Sequence, residues 1–131
     1  MGSCERTSDY VSFDTALSLR CVLDDVTYVN RIACVRGDYR EQTREGYLVE
    51  WISLPDDVLA LGEPTGDLTH MGLPVADPEK ALCDLLWLCE SRGFTVPVDS
   101  LRLDGLDSER LSRYAAHMLL DLRRLGGGSG R

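Results

Sequence analysis

Long apolar runs are missing from this 131-residue sequence. None approaches the roughly 20 residues that a membrane-spanning helix needs. The start of the chain has no apolar signal core, and Arg6 stands where a myristoylation signal needs Ser or Thr. Glycine-rich phosphate motifs are missing too: there is no GxGxxG and no GxxxxGK(S/T). HExxH and the GxSxG elbow are likewise absent. No CxxC pair occurs among the five cysteines, Cys4, Cys21, Cys34, Cys83 and Cys89. Neither His70 nor His117 has a second metal ligand nearby in sequence. These absences argue against membrane, secreted disulfide-scaffold, zinc and nucleotide-loop classes. The expectation is a chain with no catalytic residues, no metal and no cofactor.

What remains is the composition of a soluble globular protein, with 44% hydrophobic and 27% charged residues. The length suits one domain, large enough to bury about two-thirds of its unfolded surface without a staple. Cys21, Cys34, Cys83 and Cys89 lie in apolar runs, as buried free thiols do. Unpaired thiols predict a reducing cytoplasm. Asp84 beside Cys83 should blunt that thiol as a nucleophile.

Acids outnumber bases 22 to 14, for a net charge of −8. Residues 55–104 carry most of it, with ten acids against three bases. A free-standing DNA binder shows a basic footprint, and this chain does not. An acidic surface serves solubility, or it meets a basic partner. Asp56, Asp57, Glu63 and Asp67 are the candidate partner contacts. The most basic stretch holds Arg31, Arg36, Arg40 and Arg44, candidates for contact with nucleic acid or a partner. Arg forks suit phosphate oxygens, but the same side chains can simply pair with nearby Glu.

Residues 1–9 read as a flexible N-terminus and 126–131 as a flexible Gly-rich tail. Residues 10–125 read as a single α+β domain. Ser12 should cap a helix carrying Phe13, Ala16, Leu17, Leu19 and Cys21, ending near Asp24-Asp25. Two β-branched runs, 28–35 and 47–54, suggest strands joined as a hairpin with a long exposed tip. The Arg-rich stretch would form that tip. Asp56-Asp57 follows Pro55 in what looks like a surface turn. Leu68–Met71 suggests a short third strand. Asp77-Pro78-Glu79 is a strong helix start, and Gly93 a stop. The apolar face of this helix, with Leu82, Leu85 and Leu86, should sit at the centre of the core. Lys80 and Asp84 are four apart and can meet on its solvent side. A half-buried Asp84 could instead lock the helix to the sheet. Asp107 caps a last helix whose stripe runs from Leu111 to Leu125, with His117 partly buried beside it. The fold class expected is α+β: a small, mostly antiparallel sheet packed against three or more helices.

Two segments carry a resemblance. Tyr10-Val11-Ser12-Phe13-Asp14-Thr15-Ala16-Leu17-Ser18 resembles the Tyr-(Leu/Ile/Val)-Ser-x-x-Thr-Ala-Leu-Ser element of AbiEi-type antitoxins of type IV toxin–antitoxin systems. Val75 to Leu86 resembles that family's (Ile/Val)-Ala-x-Pro-Glu-Lys-Ala-Leu-x-Asp-Leu-Leu segment, with Pro78, Glu79, Lys80 and Asp84 in the matching places. The resemblance covers roughly residues 10–125 and implies the C-terminal domain of such regulators. Relatives of that kind carry a winged helix-turn-helix ahead of it, repress their own operon, and counter a nucleotidyltransferase-like toxin without a stable complex. Nine residues precede the first motif here, so DNA binding is expected to be weak. The implied function is a non-catalytic regulatory domain acting through protein or nucleic-acid contacts. The alternative is an acidic inhibitor, encoded by a phage or mobile element, that binds a basic nucleic-acid-handling protein such as a bacterial defence complex.

Overall fold

The structure, a computed structural model, describes residues 9–24, 27–35, 37–61 and 66–123. Strand β1 (Tyr10–Val11) leads into helix α1 (Phe13–Leu19). Strands β2 (Val29–Cys34), β3 (Tyr39–Gln42) and β4 (Leu48–Ser53) follow, then the short helix α2 (Asp56–Leu61). A small hairpin of β5 (Thr69–His70) and β6 (Leu73–Pro74) precedes the long helix α3 (Pro78–Arg92). Helix α4 (Ser108–Met118) is the last element, after a 3-10 turn at Val98–Ser100. The fold is α+β. Among the described residues, four strands form a sheet in the order β1-β2-β4-β3, and four helices accompany it. None of those helices is long and apolar enough to cross a membrane.

Helix α3 is set as its sequence demands. The Asp77 carboxylate accepts from the Lys80 N–H, Pro78 occupies the first turn, and Gly93 closes the helix at φ 73°. That left-handed angle is the conformation glycine adopts without penalty. Leu82, Leu85 and Leu86 are 0%, 6% and 1% exposed, so the expected central helix is central. It packs between α1 and α4. Asp107 caps α4 through the N–H groups of Glu109 and Arg110.

The expected hairpin is not formed. Strands β2 and β4 run parallel, with Val29 opposite Leu48 and Cys34 opposite Ser53. The chain between them makes β3, which turns back antiparallel along the outer edge of β4. The sheet is therefore mixed, with two antiparallel pairings and one parallel. Two strong strands close in sequence resemble a hairpin, and the weak polar strand between them decides the direction.

Other expectations are corrected at element ends. Helix α1 stops at Leu19 rather than near Asp24-Asp25. Beyond it Cys21 takes φ 64°, and the N–H groups of Val22 and Leu23 turn back onto the Leu17 carbonyl. Cys21 is exposed, unlike Cys34, Cys83 and Cys89. Leu19 is exposed as well. Asp56 and Asp57 open α2 rather than a turn, where acids favour the positive helix end. Helix α4 ends at Met118, because Leu119 adopts φ 59° and stands 88% exposed. Leu125, the tail expected at 126–131 and the N-terminal residues 1–8 lie outside the described residues.

Candidate functional site

The polar residues of the two motif segments converge in the interior. Ser12 does not cap α1, because its hydroxyl is engaged elsewhere. It donates to Asp84 Oδ2 at 2.6 Å, across 72 positions of sequence. Lys80 Nζ donates to Asp84 Oδ1 at 2.6 Å and to Tyr10 Oη at 3.0 Å. Tyr10 in turn donates to the Leu59 carbonyl at 2.9 Å, which ties in α2. Lys80 and Asp84 are both 0% exposed. The expected solvent-side pair is thus a buried ion pair, because α1 and β1 cover the face on which the two residues meet. Burial pushes the Asp84 carboxyl up, against the pull of the Lys80 charge and the bonds from Lys80 and Ser12. Burial, and then the Asp84 charge, raise the Tyr10 hydroxyl far above its ordinary range.

The rest of the motif fastens α4. Asp77 Oδ2 accepts from the Tyr114 hydroxyl at 3.1 Å. Glu79 Oε2 accepts from the Asp107 N–H at 2.9 Å, and Arg110 stands 3.6 Å from Glu79 Oε1. In the first motif, Thr15 Oγ1 donates to the Val29 carbonyl and accepts from the Arg31 N–H. Each of these side chains is a tie between elements. Together they join β1, α1, α2, α4 and the sheet to one helix.

Of the four candidate arginines, one is committed to internal partners and one borders an internal acid from the exposed side. Arg31 lies in β2, not in a loop, and pairs with Asp14 Oδ2 and Glu50 Oε1. Arg40 lies in β3, 3.7 Å from Glu50. Arg44 is exposed in the β3–β4 turn, and Arg36 lies outside the described residues. Glu50 also accepts from Arg92 Nη1 at 2.8 Å, so a 5%-exposed carboxylate gathers three guanidinium groups. Burial raises the Glu50 carboxyl, but the bonds from Arg92 and Arg31 and their charges outweigh this and hold it below its ordinary 4.5. A carboxyl lowered by folding stabilises the folded state where it is ionised, and that contribution disappears as pH falls. Glu50→Gln should therefore lose about 1.5–3 kcal/mol near neutrality. Its stability should also fall less steeply than that of the parent below about pH 4.5. Urea denaturation across a pH series reads both effects, and parallel curves for the two proteins would refute the assignment.

Among the acidic candidates, Asp56 and Asp57 are exposed. His117 Nε2 lies 3.2 Å from Asp57 Oδ2, and this histidine is exposed rather than partly buried. Asp67 holds Arg20 through paired contacts of 2.8 and 3.0 Å, and Arg20 also donates to the carbonyls of Val75 and Ala76. Glu63 lies outside the described residues. His70 meets Asn30 Oδ1 at 2.8 Å. Among the described residues no group of three or more His, Cys, Asp or Glu side chains could hold a metal ion. A cleft of about 450 Å³ opens between β2 and the end of α3, lined by Tyr28, Leu85, Leu88 and Phe94 with Asp14 and Arg31.

Among the described cysteines, Cys34, Cys83 and Cys89 are buried and Cys21 is exposed. Burial, then the neighbouring Asp84 charge, push the Cys83 thiol up to about 12. In the native protein a thiol reagent should modify Cys21 and leave Cys34, Cys83 and Cys89 untouched until denaturant is added. Peptide mass mapping of adducts checks this, and native labelling of Cys83 would contradict the structure.

The spacing of Lys80 and Asp84 is visible in the sequence, but nothing local marks Tyr10 and Ser12 as their partners. Glu50 gave no signal beyond an acid inside an apolar strand, and that was a usable one: a charge at such a position needs a cation. Compared with known proteins, the chain matches no family model and no curated sequence.

Proposed function

We propose that this chain is a non-catalytic regulatory domain of the AbiEi-antitoxin type, acting through contacts rather than chemistry. One observation carries the reading. The two segments that resemble the family meet at the Ser12–Asp84 bond of 2.6 Å, which supports reading them together as one signature. On this reading the motif residues hold the architecture together, and contacts with other molecules fall to the surface. The test is co-expression with a nucleotidyltransferase toxin of this class. Relief of growth arrest is the expected outcome. Continued arrest with the chain folded and abundant would overturn the proposal.

A second reading is favoured by the charges. Arg31 and Arg40 face internal acids, while Asp56 and Asp57 stand exposed on an acidic chain. An acidic inhibitor of a basic nucleic-acid-handling protein fits that pattern, with association faster at low salt. Partner binding lost on Asp56→Asn and Asp57→Asn, with no duplex affinity across a salt series, would favour this reading. Tight duplex binding abolished by Arg40→Ala would rule it out.

A further inference from the structure

Strand β3 is hydrogen-bonded on one side only. The Leu54 N–H donates to the Cys34 carbonyl at 2.9 Å, so even-numbered residues along β4 face β2. The Thr43 N–H donates to the Tyr47 carbonyl at 2.9 Å, so odd-numbered ones face β3. By the alternation of an antiparallel ladder, Tyr39 and Glu41 bond β4, and the N–H and C=O groups of Arg40 and Gln42 point outward. All four residues of β3 are exposed. The opposite edge of the sheet is closed, where Val75 bridges to Val11 and the Ala76 N–H donates to the Val11 carbonyl at 2.9 Å.

The open edge sorts its side chains by face. Arg40 lies on one face, 68% exposed. Glu41 and Tyr39 lie on the other, against Trp51. Tyr39 stacks on that indole with ring centroids 5.6 Å apart, and Glu41 accepts its N–H at 2.8 Å. A second copy fits this edge poorly. Two-fold pairing of β3 with itself sets Arg40 against Arg40 or Glu41 against Glu41 in the two registers that overlap most. Like charges directly opposite are destabilising.

We propose that β3 is a docking edge for an extended segment of a partner protein, added antiparallel, with a basic residue opposite Glu41 and an acidic residue opposite Arg40. The outward backbone groups of Arg40 and Gln42 supply the binding, and the two charges supply the register. The position opposite Tyr39 takes a β-branched or aromatic side chain, which packs well across strands. This inference stands on the sheet alone and does not depend on the antitoxin-type reading.

The test uses the full isotope-labelled chain and two synthetic peptides of equal composition. The first, Ac-Val-Thr-Lys-Glu-Val-Thr-NH2, sets its Lys opposite Glu41 and its Glu opposite Arg40 in antiparallel addition. The second exchanges that Lys and Glu. The first should shift the backbone amides of Arg40 and Gln42 and slow their exchange, and should bind several-fold more tightly than the second. The double variant Arg40→Glu with Glu41→Lys should reverse the preference, with unchanged amide shifts in β1 and β2 showing that the sheet is kept. N-methylation of the first peptide at its Glu and its first Thr should abolish binding. No shift at these amides with either peptide, an unreversed preference, or undiminished binding of the methylated peptide would overturn the proposal. Dimerisation through β3 would overturn it as well, by making a second copy the occupant.

Discussion

Asp84→Ala is expected to destabilise the protein by about 3–5 kcal/mol, the range for removing one partner of a buried ion pair. The Lys80 amine would be left at 0% exposure with the Tyr10 hydroxyl as its partner. The Ser12 hydroxyl would lose its acceptor in the same step. Whole domains are stable by only about 5–15 kcal/mol, so this single change should unfold much of the population under mild denaturant. The pair is a lock rather than a net source of stability, since burial already strains the Asp84 carboxyl toward its neutral form. Replacing both residues by apolar ones of similar size, Lys80→Met with Asp84→Leu, should therefore restore most of the loss. Urea midpoints at constant slope measure all three proteins. A single variant as stable as the parent, or a double variant worse than the single, would remove the lock from the account.

How much of this was legible beforehand follows from the range of the interactions. Helix α3 was legible because its determinants are local: Asp77, Pro78, Glu79 and Gly93 act within a few residues of one another. The N-cap of α4 was legible for the same reason. The direction of β2 against β4 was not, because it depends on β3. The stretch from Arg40 to Gly46 reads as a charged loop, and only pairing with the edge of β4 makes its first residues a strand. The end of α1 was misplaced because an apolar stripe says nothing of where the chain turns. The turn depends on the left-handed Cys21 and on the grip of Arg20 on the Val75 and Ala76 carbonyls. The basic stretch illustrates the same limit. Its charges are plain in the sequence, but whether Arg31 faces solvent or Glu50 is decided 19 residues away. In the motifs, the sequence marks the residue types and leaves their roles open. An i,i+4 Lys–Asp pair looks identical on paper whether it faces water or the interior.

Leu86→Ala is the second large effect. Ten residues of α3, Glu79 to Leu86 with Leu88 and Cys89, are buried, so this helix is enclosed almost all round rather than along one stripe. Leu86 is 1% exposed and belongs to the same core cluster as Leu17, Ile32 and Ile52. Neighbours on several elements cannot all move inward to fill the volume of a lost isobutyl group, so a cavity term adds to the lost transfer energy. The expected loss is about 2–5 kcal/mol. Leu119→Ala makes the control, because that side chain is 88% exposed just past the end of α4. It should change stability by no more than about 0.5 kcal/mol. Thermal and urea unfolding of both variants against the parent measure the contrast. Equal losses at the two positions would mean that α3 is not the centre of the core.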